Sequence, residues 1–156
     1  MIYLGSDHGG FQLKEKIKDW LGEWGVEFQD LGAAQFNPDD DYPQYAFMVA
    51  EAVGKSDDPS LAWRERDKGI LACRSAAGMV MAANKIKQIR AASAYDLTSA
   101  KHSRQHNDAN ILALSGDWLS DDQAKQILET WLNTEFSKED RHGRRIAQIL
   151  EKEKML

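Results

Sequence analysis

Three short polar clusters in this chain carry side chains able to move protons or hold an anion. Ser6-Asp7-His8-Gly9-Gly10 sets an acid beside an imidazole just ahead of a helical apolar stretch. Backbone N–H groups at such a helix start can meet an anion, while Asp7 and His8 supply acid-base groups. Asp7 or Ser6 acting only as a helix cap, with His8 as a plain loop residue, fits the same letters. Cys73-Arg74-Ser75-Ala76-Ala77-Gly78-Met79 places a thiol before small residues that let a ligand approach the backbone. The N–H groups of that turn can hold a developing oxyanion, and a thiol at a helix start is expected to have a depressed pKa. The competing reading makes Cys73 a small apolar core residue at the end of a buried strand. The third cluster, Arg104-Gln105-His106-Asn107-Asp108-Ala109-Asn110, offers another imidazole and amide, or a turn that caps a helix. Near the C-terminus, Arg141-His142-Gly143-Arg144-Arg145 concentrates positive charge. Arg141 and Arg145 share a helix face at i, i+4, a spacing that suits a phosphate dianion. Pairing with Glu139 and Asp140 as solvated surface is the alternative.

The elements that position these clusters follow from periodicity. Short β-like apolar runs alternate with longer helical ones, the pattern of a parallel sheet covered by helices on both faces, hence an α/β fold. Strands are expected over 1–5, 26–31, 69–73, 89–94 and 110–114. Phe11, Leu13, Ile17, Trp20, Leu21 and Trp24 recur at helical spacing before a stop at Gly25. A loop over 32–42 leads to a helix with Pro43 in its first turn, running to about Val53. The polar segment 54–67 reads as a loop that Trp63 pins to the body. Further helices are expected over 79–86 and 97–105, one after the Ser120 cap, and a last one from near Ser137.

Ligands of open parallel sheets bind beyond the carboxyl ends of the strands. The first two clusters fall there, whereas the His106 cluster precedes the fifth strand and so lies at the opposite end. A strand of five residues separates the ends by roughly 17 Å. His106 and Cys73 are therefore not expected to meet within one chain. Either His106 and Asn107 form a structural turn, or a second subunit completes the site across a symmetric interface.

Composition narrows the classes. A length of 156 residues suits a single domain over 1–156. No apolar run approaches the ~20 residues of a membrane helix, and residues 1–5 are too short for a signal peptide, so a cytoplasmic protein is expected. A net charge of −5 gives no global attraction to nucleic acid or anionic lipid, so any bound anion is held locally. The single cysteine excludes an internal disulfide and a cysteine-based metal cluster.

Nearly the whole chain resembles the ribose-5-phosphate isomerase B family, which includes the galactose-6-phosphate isomerase subunits. The resemblance is carried by GSDHGGFQLKEKI, the Asp41-Tyr42-Pro43 triplet, MVMAANKIKQIRAA, RQHNDANILAL, TWLNTEF and RHGRRI, in that order. It implies a Rossmann-like three-layer αβα sandwich with a five-stranded parallel sheet, and a C-terminal helix reaching a dimer partner. It further implies a homodimer with shared active sites, or a tetramer of such dimers, with no metal and no organic cofactor. The implied reaction interconverts ribose 5-phosphate and ribulose 5-phosphate through a cis-enediolate. By resemblance, Cys73 is the base, and Ser75, His106 and Asp7 assist ring opening. Gly78 belongs to the backbone anion hole, and Asn107 assists it. His8, Arg141, His142 and Arg145 hold the phosphate, and Tyr42 lines the sugar pocket.

Three departures from the family pattern bear on specificity. Arg74, Ser75, Ala76 and Ala77 stand where Gly-Thr-Gly-hydrophobic is usual. Asp117 stands where many relatives carry an arginine that reaches the partner's phosphate, so a compensating cation from Arg74 or Arg144 is expected. The 54–67 segment is longer than usual. A tetrose or hexose phosphate substrate is the reading the altered Arg74 to Ala77 turn and Asp117 leave open, and a noncatalytic phospho-sugar-binding subunit is the alternative from a different class, implied by family members that work as paired unlike subunits.

Overall fold

The short apolar runs form five strands: β1 (Ile2–Ser6), β2 (Phe28–Asp30), β3 (Lys68–Cys73), β4 (Ala91–Ser93) and β5 (Ile111–Ser115). Between and after them lie helices α1 (Phe11–Glu23), α2 (Tyr42–Ser56), α3 (Ala77–Ala83), α4 (Leu97–Asn107), α5 (Asp121–Leu132) and α6 (Asp140–Lys154). The computed structural model describes all of residues 1–156. The strands pair in parallel throughout, in the order β2-β1-β3-β5-β4, so every carboxyl end opens on the same edge.

Period-two alternation divides the apolar residues between two cores. Ile70 and Ala72 of β3 join Leu112 and Leu114 of β5 against α1 and α5, where Ile17, Leu21, Ile127, Leu128 and Trp131 are buried. Leu71 and Cys73 turn the other way, to Ile111, Ala113 and the Val49, Val53 and Met79 of α2 and α3. The α/β layering expected from periodicity is therefore present, with Cys73 packed into the second core as well as sitting at its edge.

Local rules set the element ends. Gly25 takes φ +65° just past α1, and its N–H bonds back to Gly22 while Val26 bonds to Leu21, a left-handed stop that glycine adopts without a Cβ clash. Ser120 caps α5, accepting from the Gln123 N–H while the Gln123 side chain returns to the Ser120 N–H.

Several expected boundaries shift. β2 begins at Phe28 instead of residue 26 because the turn at Gly25 delays it. α2 continues through Ser56. The helix expected over 79–86 spans Ala77–Ala83 instead, since the Asn84 side chain leaves the helix to bond both the N–H and the C=O of Ala91. The last helix starts at Asp140 because Lys138 is left-handed at φ +59°.

Segment 57–67 is anchored as expected, and by more than Trp63 alone. Trp63 is buried, meets Trp131 edge-to-face at 5.0 Å, and carries the Arg104 guanidinium 3.3 Å from its ring centroid. Arg66 forks onto Asp57 and reaches Asp108 at 2.9 Å. A single turn of 3-10 helix at Trp63–Glu65 stands where a plain loop was expected.

Candidate active site

The carboxyl edge of the sheet brings together the first two sequence clusters. Past β1 the chain makes one 3-10 turn at His8–Gly10 before α1, and Asp7 caps it, its Oδ1 accepting from the Gly10 N–H at 3.1 Å. The carboxyl is mostly buried, and this burial holds its pKa above the usual carboxylate value, with nearby Asp40 adding to the rise. His8 is oriented by a residue that sequence reasoning missed. Asp40, from the loop before α2, accepts at Oδ1 from the His8 backbone N–H at 3.0 Å and faces the ring Nδ1 at 2.7 Å. The Asp40 side chain is 2% exposed, and Phe36 stands perpendicular to the imidazole. With Nδ1 engaged, Nε2 is the ring atom left for a ligand. The only signal in the sequence was the Asp39-Asp40-Asp41 run ahead of Tyr42-Pro43. Ligating atoms of Asp7, His8 and Asp40 lie within 4.8 Å of one another, but Asp7 and His8 already spend atoms on the bonds above.

Past β3, Cys73 is buried, and its Sγ accepts from the Ala76 N–H at 3.1 Å. The expected depressed thiol pKa is not found. Burial pushes the Cys73 thiol up and the Asp7 charge adds to it, outweighing the backbone N–H groups. The physical reason is placement: a three-residue turn ending in left-handed Ala76 (φ +69°) separates the sulfur from a helix of only seven residues. The Tyr42 ring lies against Gly78, where a Cβ would sit 2.6 Å from the ring Cζ. Ser75 is half-buried, and its carbonyl accepts from the Tyr95 hydroxyl at 2.9 Å. A Cβ on Gly10 would collide with the Ala72 carbonyl, so the β1 and β3 turns touch. Asp7, His8, Tyr42, Cys73, Ser75 and Gly78 thus share one edge.

The remaining candidates lie elsewhere. Cys73 pairs in register with Ser115, the last residue of β5, whereas His106 precedes the first. His106 stacks between His102 at 4.4 Å and His142 at 4.5 Å. Desolvation, then His102, His142 and Arg141, lower its pKa below the ordinary imidazole value. His142 is buried, with no hydrogen-bond partner at Nε2. Arg141 donates to Glu139 at 2.8 Å. Asn107 and Arg145 line a cavity of about 970 Å³ between α6 and the α3–β4 side, which Cys73 does not line. The two groups of candidate residues therefore lie at opposite ends of β5. Of the two cations expected to compensate Asp117, Arg74 pairs with it at 3.6 Å, while Arg144 sits on α6, at the other end of the sheet from Asp117.

Comparison with known proteins matches residues 2–149 to the ribose/galactose isomerase family. The ribose-5-phosphate isomerase B of Escherichia coli is 40% identical, the alignment covering 95% of this chain and 93% of that protein. Among solved structures, ribose-5-phosphate isomerase B from Mycoplasma genitalium with bound ribulose 5-phosphate superposes with a TM-score of 0.90 at 38% identity, over 99% of this chain and 97% of that one. The Clostridium thermocellum ribose-5-phosphate isomerase B gives 0.88 at 43% identity, with 99% and 97% covered.

Proposed function

This chain belongs to the ribose/galactose isomerase family and is a sugar-phosphate isomerase, and from that premise we propose that it interconverts ribose 5-phosphate and ribulose 5-phosphate. The observation that carries this reading is the convergence of a thiol, a backbone N–H turn and an acid-imidazole pair at one sheet edge. A carbon acid is hard to deprotonate, so the reaction needs a base beside the carbon and fixed dipoles for the enediolate charge.

In the proposed mechanism Asp7, Ser75 and His106 assist opening of the furanose ring. The Cys73 thiolate takes the C2 proton of the open aldose, and the C–H electron pair moves into a C1–C2 double bond as the carbonyl oxygen becomes an oxyanion. A proton passes from the C2 hydroxyl to the C1 oxygen, and the proton on Cys73 then returns to C1 as the C2–O bond becomes the carbonyl, which gives the ketose and restores the thiolate. Backbone N–H groups from Ser75 to Gly78, with Asn107, hold the enediolate oxygens, and Tyr42 walls the sugar. His8, Arg141, His142 and Arg145 hold the phosphate, and this remote grip orients the reacting carbons.

Because Cys73 and His106 lie at opposite ends of β5, the working unit is a homodimer in which His106, Asn107, Arg141, His142 and Arg145 come from the second subunit. The uncovered state of α6 supports this. His142 is its one fully buried residue, and Ile149 is 53% exposed.

The test is turnover on pentose, tetrose and hexose phosphates by the unaltered protein and by Cys73→Ala. Ribose 5-phosphate is expected to be the best substrate. Cys73→Ala should lose about 10²-fold or more in turnover, the scale of a positioned base, while still binding the sugar phosphate. An active Cys73→Ala protein contradicts the base assignment, and turnover confined to a tetrose or hexose phosphate contradicts the substrate.

A further inference from the structure

Arg74 directly follows Cys73, and nothing in the mechanism above uses it. Its aliphatic stem packs where a Cβ on Gly9 would lie, against the residue that follows His8. Its guanidinium is 66% exposed and faces the Asp117 carboxylate, itself 46% exposed, at 3.6 Å. Backbone bonds fix both partners. The Arg74 carbonyl accepts from the Asp117 N–H at 3.3 Å and from the Ser115 hydroxyl, and the Gly116 N–H donates to the Cys73 carbonyl at 2.8 Å. The stem therefore leaves a rigid corner between β3 and β5.

The charges at this edge set its purpose. Asp7, Asp40 and Asp117 would all repel a phosphate dianion. Arg74 places among them a planar guanidinium cation. An exposed pair at 3.6 Å is weakly held in water, whereas a dianion offers a guanidinium two or more charge-assisted bonds. We infer that Arg74 is a specificity-determining residue that takes the phosphoryl group of the substrate beside His8, with Asp117 as the counter-charge that parks the guanidinium when the site is empty. This rests on the sugar-phosphate reading of the site. It makes part of the phosphate grip a property of the same chain that carries the base, in addition to the arginines assigned to the second subunit.

The test compares the unaltered protein with R74A and R74A/D117R. Steady-state isomerisation of ribose 5-phosphate is measured together with inhibition and calorimetric binding of inorganic phosphate. R74A should raise KM and weaken phosphate binding by about tenfold or more, the scale of one charge-assisted contact, with kcat changed far less. R74A/D117R restores a guanidinium at the adjacent strand end and should recover most of the lost phosphate affinity. KM and phosphate affinity within twofold of the unaltered values in R74A would overturn the inference, as would a double variant no tighter than R74A. Calorimetry with phosphate needs no turnover. A protein that isomerises no sugar phosphate yet binds phosphate through Arg74 counts against the reaction and leaves the Arg74 contact standing.

Discussion

His106 carries the pH dependence at the scale of single residues. Desolvation and the flanking His102 and His142 rings disfavour its charged form, so its pKa lies below the ordinary 6.5 and the ring is neutral at pH 7. In the proposed role the neutral ring accepts a proton during ring opening. The His106 contribution to activity is then present above its pKa and lost as pH falls through it, giving an acid limb below pH 6.5. His102→Gln removes one neighbour that disfavours the charge, so the limb should move to higher pH. A pH–rate profile checks both, and an unmoved or lowered limb in the variant contradicts the role of the stack. Some of this chemistry was legible in the letters. Asp7-His8 before an apolar periodic run marks a polar helix start, and Cys73 before small residues marks a turn. Asp40 was not legible, because its bond to His8 spans 32 residues and only the folded loop brings the two together. The thiol's direction of shift was also hidden, since it depends on how deeply β3 buries its last residue.

At the scale of elements, the polar segment between α2 and β3 illustrates what composition conceals. Its charged letters suggest a solvated loop. Arg66, Asp57, Asp108 and Arg104 instead pair with one another around Trp63, which is 2% exposed. The aromatic letter was the cue, and the ion network was not, because it joins two separated stretches of chain, with Arg66 and Asp108 42 residues apart. Trp63→Ala should cost about 3–5 kcal/mol, the range for deleting a large buried aromatic, and the loss here also unseats Arg104 from its ring. Denaturant unfolding checks this. A loss under about 1 kcal/mol would mean the segment is held without Trp63. Strand and helix types were readable because period-two and helical spacings are strong signals in β3 and α1. Their ends were less so, because single residues such as Asn84 and Lys138 decide them through backbone geometry.

The whole molecule poses the remaining question, because a single chain keeps its proposed base and its proposed imidazole at opposite ends of β5. Chain order alone already placed them apart, since a parallel strand fixes which cluster precedes it and which follows. Where the proposed second subunit sits is not encoded in any local pattern, only in what α6 leaves uncovered. Complementation tests the arrangement directly. Cys73→Ala and His106→Ala are each prepared, shown to be inactive, then mixed under conditions in which subunit exchange is demonstrated. A site built from two chains predicts recovery toward about a quarter of the unaltered activity, since half of randomly mixed dimers hold one intact site of two. No recovery despite proven exchange would contradict it and place both residues' work within one chain.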